Sequence, residues 1–227
     1  MSKNRRSFPR RSFLAAAAGA TGLMLSEARA ADKSCPAAVK RYQSGDFYGA
    51  DGKFLVDKAR EAYFDMFRRF HYPISKTLLK DMWVLDFQLG DFAHVGMAGM
   101  IWCNRQDYSY FGHEIYLLPG QMIPEHAHFA TAKGPAKMES WHPRHGSICT
   151  FGEGQPTPQY LDRIPASQRG LVKSQCGKPL DVDQLADLNR RTAWHFMVAG
   201  PEGALVTEYG TFHDMDGLRF SNPKAKL

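Results

Sequence analysis

The sequence has no apolar run long enough for a comfortable membrane span, no Cys-x-x-Cys pair, no internal repeat and no low-complexity tract. A spanning helix needs about 20 consecutive apolar residues, so an integral helical membrane protein is excluded. Only four cysteines are present, Cys35, Cys103, Cys149 and Cys176. Without a Cys-x-x-Cys a zinc ribbon is excluded as well. Cys103 and Cys149 sit in the apolar stretches "MIWCN" and "SICTF" and read as buried thiols. Cys35 and Cys176 lie in polar surroundings and are the better candidates for a disulfide.

An excess of basic charge is also missing once the first thirty residues are set aside. That segment contains "PRRSFLAAAAGATGLMLSEARA": paired arginines Arg10 and Arg11, a short Ala/Gly/Leu-rich run, then Ala28-Arg29-Ala30. Twin arginines, a weakly apolar run and a small-x-small ending are the pattern of a twin-arginine export signal. Residues 1–30 are therefore expected to be cleaved and the remainder to be periplasmic. They carry six of the 29 Lys/Arg and one of the 23 Asp/Glu, which leaves 23 against 22, a net of +1. The formal charge of +6 belongs largely to the leader. No later basic cluster is interleaved with aromatics, so nucleic-acid binding is excluded.

What is present comes in two patterns. Between Lys53 and Tyr72 the apolar residues Leu55, Ala59, Ala62, Tyr63, Met66, Phe67 and Phe70 recur at helical spacing, ending at Pro73. Beyond this the period becomes two. "MWVLDFQL", "HVGMAGMIWC", "HEIYLLP", "SICTFGEG", "TAWHFMVAG" and "GALVTEYGT" read as short strands separated by turns. One helix followed by many strands predicts an all-β sandwich or barrel with an N-terminal helical extension. The expected division is an arm and helix over 31–75 and a barrel over 76–227. A polar, Pro-rich excursion over 155–192 is expected on the rim, with "DVDQLADLNRR" helical.

One stretch carries chemistry: "GQMIPEHAHFATAKGPAKMES", residues 120–140. His126 and His128 are two apart, so on a strand both imidazoles point to one face. Two imidazoles and a carboxylate on one face make most of a metal site. A surface strand with solvated histidines is the competing reading. His142 and His145, in "WHPRHG", are irregularly spaced around Pro143 and read as rim or surface residues. His71, His94 and His113 read as structural.

Gly120 followed by His126-x-His128 resembles the first motif of the cupins, small jelly-roll β-barrels that hold a metal inside. The blocks "PGQMIPEHAHFATAKGPAKMES", "TAWHFMVAGPEGALVTEYGT" and "FHDMDGLRFSNP" together resemble the D-lyxose isomerase family of cupin sugar isomerases. The resemblance implies a cupin jelly-roll and one divalent metal held by His126, His128, Glu139 and His195. Mn²⁺ is favoured over Zn²⁺, Co²⁺ or Fe²⁺, and His213 is the rival to His195. It implies a ketol-isomerase acting on a free sugar such as D-lyxose (to D-xylulose) or D-mannose through a metal-chelated enediolate, with a hydride shift as the other route. Glu208 is the implied base and Lys137 the oxyanion or substrate partner. Asp216 and Trp141 are further substrate-binding candidates, with Trp194 also flanking the ligands, and a homodimer is expected. The chain departs from the family at "SWHPRHGSI", expected near the pocket mouth. A cupin dioxygenase and a non-catalytic periplasmic sugar-binding cupin are the alternatives.

Overall fold

The computed structural model describes residues 38–227. The leader and Cys35 lie outside the described residues. No helix among the described residues is long and apolar enough to cross a membrane.

Helix α1 runs over Val56–Arg69 and buries Ala59, Ala62, Tyr63, Phe64, Met66 and Phe67 along one side, the stripe its sequence spacing predicts. It ends before Pro73: Phe70 caps it, and His71 takes a positive φ of 53° that breaks the helical path. A second helix, α2 over Lys76–Asp81, is capped by Ser75, whose hydroxyl accepts from the Leu78 N–H at 3.1 Å.

The strands are β1 Trp83–Leu85, β2 Met97–Arg105, β3 Tyr110–Leu117, β4 His126–His128 and β5 Glu139–Gly152. After the short helix α3 (Pro158–Leu161) come β6 Cys176–Leu180, β7 Ala186–Asp187, β8 Phe196–Gly210 and β9 Leu218–Phe220. The large sheet has the order β1-β2-β3-β8-β5-β6, with β7 also on β5, and β4 pairs with β9. All the strand pairings are antiparallel. Strand order 3-8-5 means that distant segments meet at the centre, as a jelly-roll requires. The cupin jelly-roll with an N-terminal helix is thus the fold observed.

Three local expectations change. "MWVLDFQL" is a strand only to Leu85, because Phe87 and Gln88 adopt positive φ values of 53° and 58° and turn the chain. "TAWHFMVAG" and "GALVTEYGT" join into one long β8, whose first part pairs with the end of β5 and whose second part pairs with its beginning. "DVDQLADLNRR" is not helical; Ala186 and Asp187 pair with Trp141 and Ser140 as β7.

Alternate residues of β1–β3 face two environments. Val84, Ala98, Met100 and Tyr116 point outwards and pack under α1 with Phe67 and Tyr63. Trp83, Leu85, Met97, Ile101, His113 and Ile115 point inwards onto a cavity of about 420 Å³. Gly99 makes the inner face possible. A Cβ there would lie 2.4 Å from the Trp83 ring and 2.5 Å from His113 Nε2, so only glycine lets these two rings stack.

Candidate metal centre and active site

His126 and His128 stand on β4, and the backbones of His126 and His195 exchange two hydrogen bonds. The His126 N–H donates to His195 O at 3.0 Å and the His195 N–H to His126 O at 2.9 Å. Directly opposed antiparallel residues present side chains to the same face, and their rings lie 4.3 Å apart. Glu139 opens β5 and completes the group. One ligand atom from each of His126, His128, Glu139 and His195 lies within 4.8 Å of the others. His213 is not part of this group. It stacks on Phe111 at 5.3 Å, and its ring centre is 5.0 Å from that of His128.

The donor set fits a divalent metal. His126 Nδ1 and His195 Nδ1 each lie 2.9 Å from a carbonyl oxygen, of Pro124 and Ala193, which fixes the Nδ1–H tautomer and turns Nε2 inward. Glu139 Oε1 is 2.8 Å from His195 Nε2 and 3.3 Å from His128 Nε2. Yet all three atoms are buried without a hydrogen bond. They crowd a common point instead of aiming at one another, and buried polar atoms without partners are costly. A first-row ion would satisfy them together.

Electrostatics favour the ligating forms at two of the histidines. Burial, reinforced by the neighbouring imidazoles, holds His126 well below the usual histidine range, and burial also lowers His128. Burial works against charge at His195 too, but Glu139 outweighs it and raises that histidine. Burial opposes ionisation of Glu139 as well. Lys137, His128 and His195 overcome it and keep the carboxylate far below its ordinary value.

Lys137 and Glu208 lie beside this group. The Lys137 ammonium donates to Glu139 Oε2 at 2.8 Å and to Glu208 Oε1, and it sits 4.3 Å above the Phe111 ring. Burial disfavours its charge, but the two carboxylates prevail and raise its pKa. Gly210 opens the space for it: a Cβ there would meet Lys137 Cε at 3.0 Å. Glu208 is on central β8, opposite Trp141 on one side and His113 on the other. His113 Nδ1 approaches Glu208 Oε2 at 3.5 Å, while its Nε2 is buried without a partner. Read as structural in the sequence, His113 is the polar neighbour that sequence reasoning missed. Only the β3–β8 register could have revealed it.

Other candidates are placed elsewhere. The Asp216 carboxylate is 70% exposed, paired with Lys133 at 2.7 Å and off the cavity wall. Trp141 is buried behind His195, 5.2 Å ring to ring, within the core and not on the wall. Trp194 lies under the Lys173 ammonium at 3.8 Å, also off the wall. "SWHPRHGSI" is the interior of β5 and contributes nothing to the cavity mouth. His145 stacks on Phe70 at 5.3 Å, on the outer face by α1. The rim excursion is anchored by buried Glu125, which accepts from the Lys173 and Ser174 N–H groups at 2.7 and 2.6 Å. The described cysteines Cys103, Cys149 and Cys176 form no disulfide with one another.

No family model matches the chain. Curated relatives do. The D-lyxose/D-mannose isomerase of Thermosediminibacter oceani is 26% identical over 174 residues, 77% of this chain and 94% of that protein. The D-lyxose ketol-isomerase of Cohnella laeviribosi is 27% identical over 169 residues, 74% of this chain and 91% of that protein. Among solved structures, L-ribose isomerase of Acinetobacter sp. DL28 superimposes with a TM-score of 0.59 at 16% identity, covering 74% of this chain and 91% of that one. L-ribose isomerase of Cellulomonas parahominis gives 0.59 at 16%, covering 83% and 96%. The structural likeness establishes a shared fold. The sequence relatives support placing the chain among the sugar isomerases.

Proposed function

We propose that this chain, an isomerase by its likeness to three curated isomerases, interconverts a free aldose, such as D-lyxose or D-mannose, and its ketose. One divalent metal serves the reaction, with manganese as our choice. Export by the twin-arginine route to the periplasm and assembly as a homodimer complete the proposal. The observation that carries it is the convergence of three imidazoles and Glu139 on one point, with Lys137 and Glu208 beside them on the cavity wall.

Bound by His126, His128, Glu139 and His195, the metal would supply Lewis-acid polarisation of the sugar carbonyl and its neighbouring hydroxyl. The conversion moves the proton on C2 to C1 and the hydroxyl proton from O2 to O1. Glu208 takes the proton from C2 and returns it at C1. The Lys137 ammonium offsets negative charge on the substrate oxygens, and its bond to Glu139 holds that ligand in position. His113, across the ladder from Glu208, steadies the orientation of the carboxylate.

Elemental analysis of the protein recovered from the periplasm, followed by a sugar panel, tests this. About one manganese or similar ion per chain, with D-lyxose or D-mannose converted, is expected. One iron per chain, oxygen uptake and no isomerisation would transfer the site to dioxygenase chemistry. Sugar binding without turnover would make the chain a binding protein. Glu208→Gln is expected to retain the metal and lower turnover by about a hundredfold to ten-thousandfold. Full turnover in that variant would remove Glu208 from the mechanism.

A further inference from the structure

The cavity that reaches the metal centre is two-sided in chemistry. Its polar side chains form one connected cluster, running from His213 past His128 to Glu139, Lys137, Glu208 and His113. His126 adjoins it through the 5.2 Å approach of its ring to His128. Every other side chain on the wall, among the described residues, is aliphatic, aromatic or a thioether. No Ser, Thr, Asn, Gln, Asp or Arg side chain is present there. The deep part is Phe87, Met97, Ile115 and Ile123, all nearly fully buried. Ile101, Met215 and Leu227, each about half exposed (42%, 50% and 48%), carry the apolar surface outward.

A volume of about 420 Å³ suits a small ligand with room to spare. An aldose turning over here must place C1 and C2 against the polar cluster, because only that cluster can chelate its oxygens and move its proton. Lys137, Glu139 and Glu208 are already bonded to one another, so beyond the ligand residues the cluster keeps only His113 Nε2 and His213 Nδ1 as buried atoms without a partner. The chain beyond C2 projects along walls whose side chains are apolar except for the Trp83 indole N–H, and a hydroxyl buried against the apolar part forfeits its hydrogen bonds to water. A methyl terminus gains from the same walls. The Trp83 ring, fixed by its 5.4 Å stack on His113, gives a flat surface for the C–H face of the sugar next to the reacting carbons.

We infer that the preferred substrate is an ω-deoxy aldose, a sugar whose terminal carbon is a methyl group in place of a hydroxymethyl. This rests on the isomerase reading and narrows its substrate class. An apolar pocket discriminates only moderately against an analogue that merely adds a hydroxyl, so the preference is on the order of tenfold to a hundredfold.

The test uses the full metal-loaded protein and matched pairs of the same configuration: D-mannose against 6-deoxy-D-mannose, and D-lyxose against 5-deoxy-D-lyxose. Isomerisation gives kcat/KM for each sugar, and calorimetry gives its Kd independently of turnover. The expected result is a kcat/KM at least about tenfold higher for the deoxy member of a pair, with Kd moving in the same direction. Equal or better conversion of the hydroxymethyl sugars overturns the inference and leaves the isomerase reading standing. Failure to convert any of the four by metal-loaded protein overturns both.

Discussion

The two faces of strands β1–β3 are made from neighbouring residues and yet do opposite things. Outward, Val84, Ala98, Met100 and Tyr116 pack with Tyr63 and Phe67 of α1 in one buried cluster. Inward, Trp83, Met97, Ile101 and Ile115 are equally apolar, but they face a cavity. Period-two alternation usually separates a core face from a wet one. Here both faces are apolar, and the difference lies in what stands opposite. A helix brings its own side chains into the gaps of one face. On the other, β4 and β9 are two short strands, and the β4 imidazoles line the cavity without filling it. The outer face therefore carries stability and the inner face carries chemistry.

The largest way to break this comparison is at the metal group. His195→Ala removes one of the four converging ligands and leaves Glu139 Oε1 without its nearest neighbour. Metal content should fall from about one ion per chain to a small fraction, and turnover should fall with it. Elemental analysis after gel filtration reads the first and a sugar assay the second. Retention of a full metal complement would mean that His213 or water replaces His195.

Next in size is the outer face. Phe67 is fully buried, 4.7 Å ring to ring from Tyr116 and 5.2 Å from Tyr72. Phe67→Ala should cost about 3–5 kcal/mol in denaturant unfolding. Met97→Ala, on the inner face, deletes a side chain already bordered by empty space. It should cost no more than about 2 kcal/mol, the bottom of the range for such truncations, and appear chiefly as a changed KM. Equal destabilisation by the two would show that the cavity collapses and that the faces are not distinct.

Local chemistry was readable from the sequence wherever it depended on spacing. The i, i+2 histidines of β4 and the buried stripe of α1 follow from periodicity alone. Glu139 is visible as the carboxylate that follows the two histidines, but His195 and Glu208 come into view only with the resemblance, because a β-barrel joins distant segments by register, and register leaves no local trace. The same cause hid His113, whose place opposite Glu208 exists only once β3 pairs with β8. Trp141, two residues past Glu139, and Asp216, in the block "FHDMDGLRFSNP", are substrate-binding candidates in the sequence. The pleat sends Trp141 behind His195, and a short turn at 215–217 leaves Asp216 in solvent with Lys133. The helical reading of 181–191 rests on Leu185 and Leu188, whose i, i+3 spacing suits a helix; the pairing of Ala186 and Asp187 with β5 decides against it.

The smallest effect expected is at high pH, and it sharpens the outer side of the comparison. Tyr72 donates its hydroxyl proton to Glu114 and lies beside Tyr116. Burial, reinforced by the Glu114 carboxylate, pushes Tyr72 up from its ordinary value of 10.0 to about 12. A raised folded-state pKa contributes stability that is fully present below the unfolded value and is lost as pH rises through the folded one. Between pH 10 and about 12 the unfolded chain has released this proton and the folded chain still holds it, so unfolding is favoured as pH climbs. Urea midpoints measured across that window should fall for the wild-type protein and fall less steeply for Tyr72→Phe. Lys137 on the cavity wall and buried Cys149 also have raised pKa values, so it is the difference between the two slopes, not either slope by itself, that reports on Tyr72 and the helix-covered face. Identical slopes in the two proteins would mean that Tyr72 is already free of its pairing with Glu114, and that the contact between α1 and the sheet loosens at this end before the barrel unfolds.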